Sequence, residues 1–325
     1  MSVRRPTHAD SWYKANSEDL DRELSEWLEA VTSSSSFSPP ITNCKAIIAP
    51  HAGYSYSGPT AAWAYKTINT TGIKRVFILG PSHHVYLDGC ALSKCAEYAT
   101  PIGALLLDHS TIDELNKTGQ FSQMELGTDE DEHSIEMHLP YIRKVFEGRD
   151  ISIVPILVGA IDKKKEEAFG RILAPYLASE DTFFVISSDF CHWGTRFSYT
   201  FYFPQYPPGP SPPIRLSRSA ASPRELSTFP IHQSISALDH EAMELLTLPP
   251  STAHQAHVFF AEYLSRTKNT ICGRHPIGVL LGALTVLQEE RGKSPHLQWV
   301  RYEQSSHCFT IKDSSVSYAS AYVAF

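Results

Sequence analysis

The chain has 325 residues, 42% hydrophobic and 19% charged, the balance of a globular protein long enough to bury a large core. A formal net charge of −7 and a pI near 6.1 exclude the broad basic face that nucleic-acid binding needs. There is no run of about 18 apolar residues to make a membrane-spanning helix, and Met1 to Pro6 lacks the apolar core of a signal peptide.

In chain order, residues 17–31 read as an amphipathic helix. Leu20, Leu24, Trp27, Leu28 and Val31 make its apolar stripe, and Ser17 is the expected cap. Ser33 to Pro40 is a connector. A first strand, Ala46 to Pro50, runs into His51, and a helix is expected over 58–67. A second strand, Val76 to Ser82, runs into His83-His84. Short helices follow over 111–117 and 134–146, and Pro140 makes the latter start late or kink. A third strand spans Ile153 to Val158, a helix spans 163–178, and a fourth strand, Phe183 to Ser188, runs into Asp189 with His192 three residues on.

This alternation predicts an α/β fold with a largely parallel sheet flanked by helices. Phe203 to Pro230 interrupts it with eight prolines in 28 residues, and reads as a mobile surface insertion that includes the PxxP-like Pro207 to Pro210. Helices over 236–246, 253–265 and 276–288 follow, then one or two strands within 297–325. The whole of 1–325 reads as a single domain carrying the 203–230 insertion. The six cysteines lack CxxC spacing and are read as reduced, so the expected location is cytoplasmic, with the nucleus as the alternative.

Ligand sites in open parallel sheets lie beyond the carboxyl ends of the strands. His51, His83, Asp189 and His192 are therefore expected around one pocket. Neutral imidazole is a common metal ligand, and the two strand-end histidines are about thirty residues apart, as successive βαβ units require. Asp189 and His192 suit proton handling, although Asp189 also reads as the cap of a following helix. Cys272 precedes a helix opened by Pro276, where the helix dipole favours thiolate. In the acidic stretch from Asp129 to His138, His133 and Glu136 sit one turn apart, as groups that can support ligands from behind or simply face solvent. There is no P-loop, GxGxxG, GxSxG or HExxH.

Taken together, the motifs resemble the Memo family, named for a mediator of receptor-driven cell motility. The matching stretches include Ser11 to Tyr13, Ile47 to Tyr54, Phe77 to His84, Thr128 to Tyr141, Ser187 to Gly194, Asn269 to Leu280 and Asp313 to Ala319. The likeness spans nearly the whole chain except 203–230. It implies a fold similar to class III extradiol dioxygenases. It also implies a metal site of His51, His83 and Cys272 holding copper or iron, with zinc less favoured, and Asp189 and His192 lining the same pocket. An aromatic edge with Trp12 and Tyr56 is implied to bind phosphotyrosine peptides, and Tyr54 is read as a further wall.

The ring-cleaving relatives use two histidines and a carboxylate. A softer thiolate as third ligand shifts the expectation from catechol cleavage toward redox chemistry with oxygen or a reduced oxygen species. The leading expectation is a metal-dependent oxidoreductase that controls cellular oxidants and feeds cell-motility signalling. The rival is a non-enzymatic signalling adaptor for phosphotyrosine peptides or a signalling protein. A cysteine hydrolase using Cys272, His192 and Asp189 is a weaker third.

Overall fold

The structure is a computed structural model and describes residues 2–35, 37–207, 209, 211–217, 226 and 228–325. Its principal strands are β1 (Cys44–Ala49), β2 (Arg75–Pro81), β3 (Ser152–Val158), β4 (Thr182–Ser187), β5 (Asp189–Trp193), β6 (His296–Gln304) and β7 (Ser315–Ala324). The longer helices are α1 (Ser17–Glu29), α2 (Tyr54–Lys66), α3 (Lys163–Ala178), α4 (Ile231–Leu246), α5 (Ala253–Thr267) and α6 (Arg274–Arg291). Among the described residues, none of the helices is long and apolar enough to cross a membrane.

Among the described residues, twelve strands form one mixed sheet that reaches from the N-terminal Val3–Arg4 to β7, on which β5 and β6 both pair. Its centre runs β3-β2-β4-β1 with every pairing parallel, and β7 then pairs antiparallel with β1. The parallel strands are buried along almost their whole length, which is why they read as unbroken apolar runs rather than alternating ones. Val76, Phe77 and Ile78 have no exposed surface, and each such side chain contributes about 1.5–3 kcal/mol by leaving water. Phe77 and Phe184 stack across the β2–β4 pair with ring centres 4.6 Å apart.

Helices flank this sheet. Helix α2 packs on β1 and β7 with α1 outside it, while α3 and α6 pack together and against β2 and β4. The α3–α6 approach is close because Gly170 faces Gly282 and Ala283. A methyl group on Gly170 would lie 2.5 Å from the Ala283 nitrogen.

Several expectations shift at element ends. The cap of α1 is Asn16, whose side chain accepts from the Asp19 N–H, rather than Ser17. Helix α2 begins at Tyr54, four residues before the expected start, and carries Pro59 at its sixth position, where the missing N–H forfeits the intrahelical bond to the Ser55 carbonyl. The expected 134–146 helix splits into His133–Glu136 and Leu139–Val145, with Pro140 opening the second piece. The 203–230 insertion is not purely surface. Ile214–Arg215 pairs with Phe201–Tyr202, and Phe203, Leu216 and Phe229 are buried. These apolar side chains anchor the segment near α4, where the Phe203 N–H donates to Ser234 Oγ at 2.8 Å. Pro208 and Pro210 of the PxxP-like stretch lie outside the described residues. All six cysteines are free.

Gly170→Ala tests the helix packing. Helix propensity alone favours Ala by about 1 kcal/mol, but the clash with α6 is expected to destabilise the protein by roughly 1–3 kcal/mol in urea unfolding. A stabilised variant would show that α3 and α6 do not approach this closely.

Candidate functional site

The parallel register determines what meets at the carboxyl edge. Ile48 lies opposite Ile186 and Ala49 opposite Ser187, while Leu79 lies opposite Ile186 on the other side. The chain therefore leaves β1, β4 and β2 at one level, and His51, Asp189 and His83 follow within two to four residues of those aligned positions. Cys272 arrives from the turn before α6. Gly273 makes this approach feasible, because a Cβ there would lie 2.2 Å from Ser188 Cβ and 2.3 Å from Ser187 O.

One donor atom from each of His51, His83 and Cys272 falls within 4.8 Å of the others. Cys272 Sγ lies 3.1 Å from His51 Nε2 and 3.5 Å from the Asp189 carbonyl oxygen. Hydrogen bonds fix both imidazoles. Ser187 Oγ donates to the Ser134 carbonyl at 2.7 Å, so at 2.6 Å it accepts from His51 Nδ1. Glu132 accepts from the His83 N–H at 2.7 Å, from His83 Nδ1 at 2.9 Å and from the Ser134 N–H at 2.9 Å. A proton on each Nδ1 leaves each Nε2 lone pair for the pocket.

Burial would raise the Glu132 carboxyl, but the bonds from His83 and the attraction of its ring hold it down at about 2. Burial pushes His51 well below the ordinary histidine value, reinforced by His83 and His133, so the ring is neutral. The Cys272 thiol is pushed well above its ordinary value, first by burial and then by the Asp189 charge. The expected thiolate-favouring effect of the helix start is thus outweighed by desolvation in the metal-free pocket.

The structure also places Asp189 and His192 here, and their donor atoms form a second group with Cys272 within 4.8 Å. Asp189 opens β5 rather than capping a helix. Its carboxylate accepts from the His51 N–H at 2.8 Å and from the Ala52 N–H, and so ties down the turn after β1. Burial raises its carboxyl to about 7 against those two bonds. His192 Nδ1 faces the Phe190 and Thr270 carbonyls at 3.0 and 3.2 Å, which leaves Nε2 as the free acceptor. Burial lowers its affinity for a second proton. His192 Nδ1 is bonded to these carbonyls and not to Asp189, so a Cys-His-Asp hydrolase relay is not assembled.

Sequence matches complete the description. The family model described as Memo-like protein matches residues 4–322. The chain belongs to the Memo family. Protein MEMO1 of Xenopus laevis is 46% identical over 319 residues, covering 97% of this chain and 95% of the relative. The Homo sapiens Protein MEMO1 is 45% identical with the same coverage. The Caenorhabditis elegans Protein memo-1 homolog is 41% identical, covering 98% of this chain and 81% of the relative. Among solved structures, the uncharacterized protein JW3007 from Escherichia coli K12 aligns with a TM-score of 0.41 at 14% identity, over 84% of this chain and 99% of that one.

Within this Memo-family pocket, His133 stacks on His83 with ring centres 4.3 Å apart, and Trp12 packs tilted against the His133 ring at 4.5 Å. Burial and the neighbouring His83 depress His133 to about 3. Glu136 points elsewhere. It binds Arg4 Nη1 at 2.7 Å, His8 Nδ1 at 2.8 Å and the Tyr13 hydroxyl at 2.7 Å. Tyr54 is not a pocket wall, because it is buried against Tyr13, Trp27 and Tyr141 and its hydroxyl donates to the Met137 carbonyl. Tyr56 is 62% exposed. Sequence reasoning missed Glu132 and Ser187. The available signals were an acid next to His133 in the Asp129 to His133 run and a serine at the last position of a strand.

The raised Asp189 carboxyl has a pH consequence. The folded state holds this proton more tightly than the unfolded chain, so its contribution to stability is present below about pH 4 and is lost as pH rises toward 7. Each unit of the difference is worth about 1.4 kcal/mol. In metal-free protein, Asp189→Asn is expected to gain stability over the parent progressively from pH 4 to pH 8. A pH-independent difference would contradict the protonation assigned to Asp189.

Proposed function

We propose that this Memo-family protein is a metal-dependent redox protein in which His51, His83 and Cys272 hold copper or iron. The observation that carries the reading is the donor set itself: three ligand atoms within 4.8 Å, with both imidazoles held by Ser187 and Glu132 in the tautomer that frees Nε2. Two nitrogens and one thiolate suit copper or a covalent iron site better than the harder ions. Metal binding requires Cys272 to lose its proton, and a cation at the pocket centre reverses the desolvation that raises the thiol.

Bound copper or iron would supply one-electron chemistry with oxygen or a reduced oxygen species as reactant. The protein's own residues do the rest. His192, with Nδ1 committed to backbone carbonyls, presents Nε2 to accept or return a proton. Asp189, poised near neutrality, holds a proton beside Cys272 and His51. His133 closes one side of the pocket, with Trp12 packed against it. The reading includes control of cellular oxidants as the role, with an output to cell-motility signalling, in the cytoplasm or nucleus.

A peptide-binding adaptor is the second reading, favoured by the 62% exposure of Tyr56 and by Trp12 against the His133 ring. Calorimetry with tyrosine-phosphorylated peptides separates the two. Saturable binding that survives metal removal and Cys272→Ser supports the adaptor.

For the redox reading, protein purified without chelator is assayed for metal by elemental analysis and for oxidant turnover. Cys272→Ser is expected to lose both. Glu132→Gln is expected to weaken metal binding about 10–100-fold, because it releases the His83 ring from its orienting carboxylate. Equal occupancy and turnover in parent and Cys272→Ser would overturn the ligand assignment.

A further inference from the structure

A second cavity, of about 320 Å³, opens between the start of α3, helix α5 and the start of α6. At its base lies Glu166, nearly buried, with each carboxylate oxygen engaged by a different imidazole. His257 Nε2 lies 2.6 Å from Oε2 and His275 Nδ1 lies 2.7 Å from Oε1. Burial acts to raise the Glu166 carboxyl, but these two bonds hold it below the usual range, so it is ionised and both imidazoles donate to it.

None of this machinery is used by the pocket around Cys272. His257 is only 2% exposed. Among the lining residues Glu166 is the one carboxylate and is engaged by the imidazoles; Lys163 pairs with Glu167 one turn along α3, and Lys268 and Arg274 add two further cations, on a chain whose net charge is −7. Phe260 and Leu264 add an apolar wall.

We propose that this cavity binds a small organic oxyanion, a phosphate ester or carboxylate with a compact apolar portion. The head group is recognised by the Lys163, Lys268 and Arg274 charges and by the imidazole edges that Glu166 holds in place, and the apolar portion rests on Phe260 and Leu264. The cavity volume falls at the small end of ligand sites, which fits a compact ligand. The site is independent of the metal reading and stands or falls separately from it.

The test is calorimetry on the full chain at low salt with three probes: inorganic phosphate, phenyl phosphate and benzoate. Phenyl phosphate or benzoate is expected to bind saturably and more tightly than inorganic phosphate, and the stronger of the two identifies the head group. Lys163→Glu/Lys268→Glu changes two side chains at the cavity mouth, and is expected to weaken binding at least tenfold while leaving the thermal unfolding midpoint and metal content unchanged. Phe260→Ala is expected to remove the preference over inorganic phosphate. No saturable binding of any probe, or binding unaltered in the double variant, would overturn the proposal.

Discussion

The structure depends on the in-register parallel pairing of β1, β4 and β2. Because Ile48, Ile186 and Leu79 lie side by side, three chains leave the sheet at one level, and the residues just beyond them are forced together. A slip of one residue in any strand would exchange the side chains packed on its two faces, so the close packing on both faces also fixes the position of His51, His83 and Asp189. The energy that holds the pocket's frame is hydrophobic and lies below it. The polar groups of the pocket sit on this frame and do not have to assemble it.

That division of labour matters because the pocket is unfavourable in itself. His51 and Cys272 stay neutral, as burial imposes, and Asp189 is raised to about 7, so it titrates near neutral pH. Glu132 is the exception, and it remains charged because two backbone N–H groups and a ring nitrogen surround it. The result is a set of neutral donors around one firmly held anion, an arrangement that a cation at the centre would complete. Ser187 has the corresponding role for His51, passing the constraint from the Ser134 carbonyl through its hydroxyl to the ring.

Much of this was legible in the sequence. The four apolar runs matched β1, β2, β3 and β4 to within a residue or two, because strands buried on both faces leave an uninterrupted signal. The residues just beyond them followed from the rule that parallel sheets bind at their carboxyl ends. Less legible were features that depend on tertiary contact. Glu132 sits in a run of four acidic residues that also reads as a solvated helix start, and only folding against β2 buries it. Glu136, one helical turn further, was assigned to the pocket by spacing but is captured by Arg4 and Tyr13 from the N-terminal segment. Tyr54 was read as a wall of the peptide pocket beside Trp12 and Tyr56. It begins α2 and packs inward because Trp27 and Tyr141 offer a larger apolar contact than solvent does. The prolines of 203–230 gave no hint of the buried Phe203, Leu216 and Phe229.

The central claim is that the aligned strand ends and the turn before α6 together make a two-histidine, one-cysteine metal centre. The most direct test is X-ray absorption at the metal edge of protein loaded with one equivalent of copper or iron. The account predicts a first shell with one sulfur at about 2.3 Å and imidazole nitrogens at about 2.0 Å, distances typical of such ligands, with the sulfur lost in Cys272→Ser. A shell of nitrogen and oxygen alone in the parent protein, unchanged by that substitution, would contradict it.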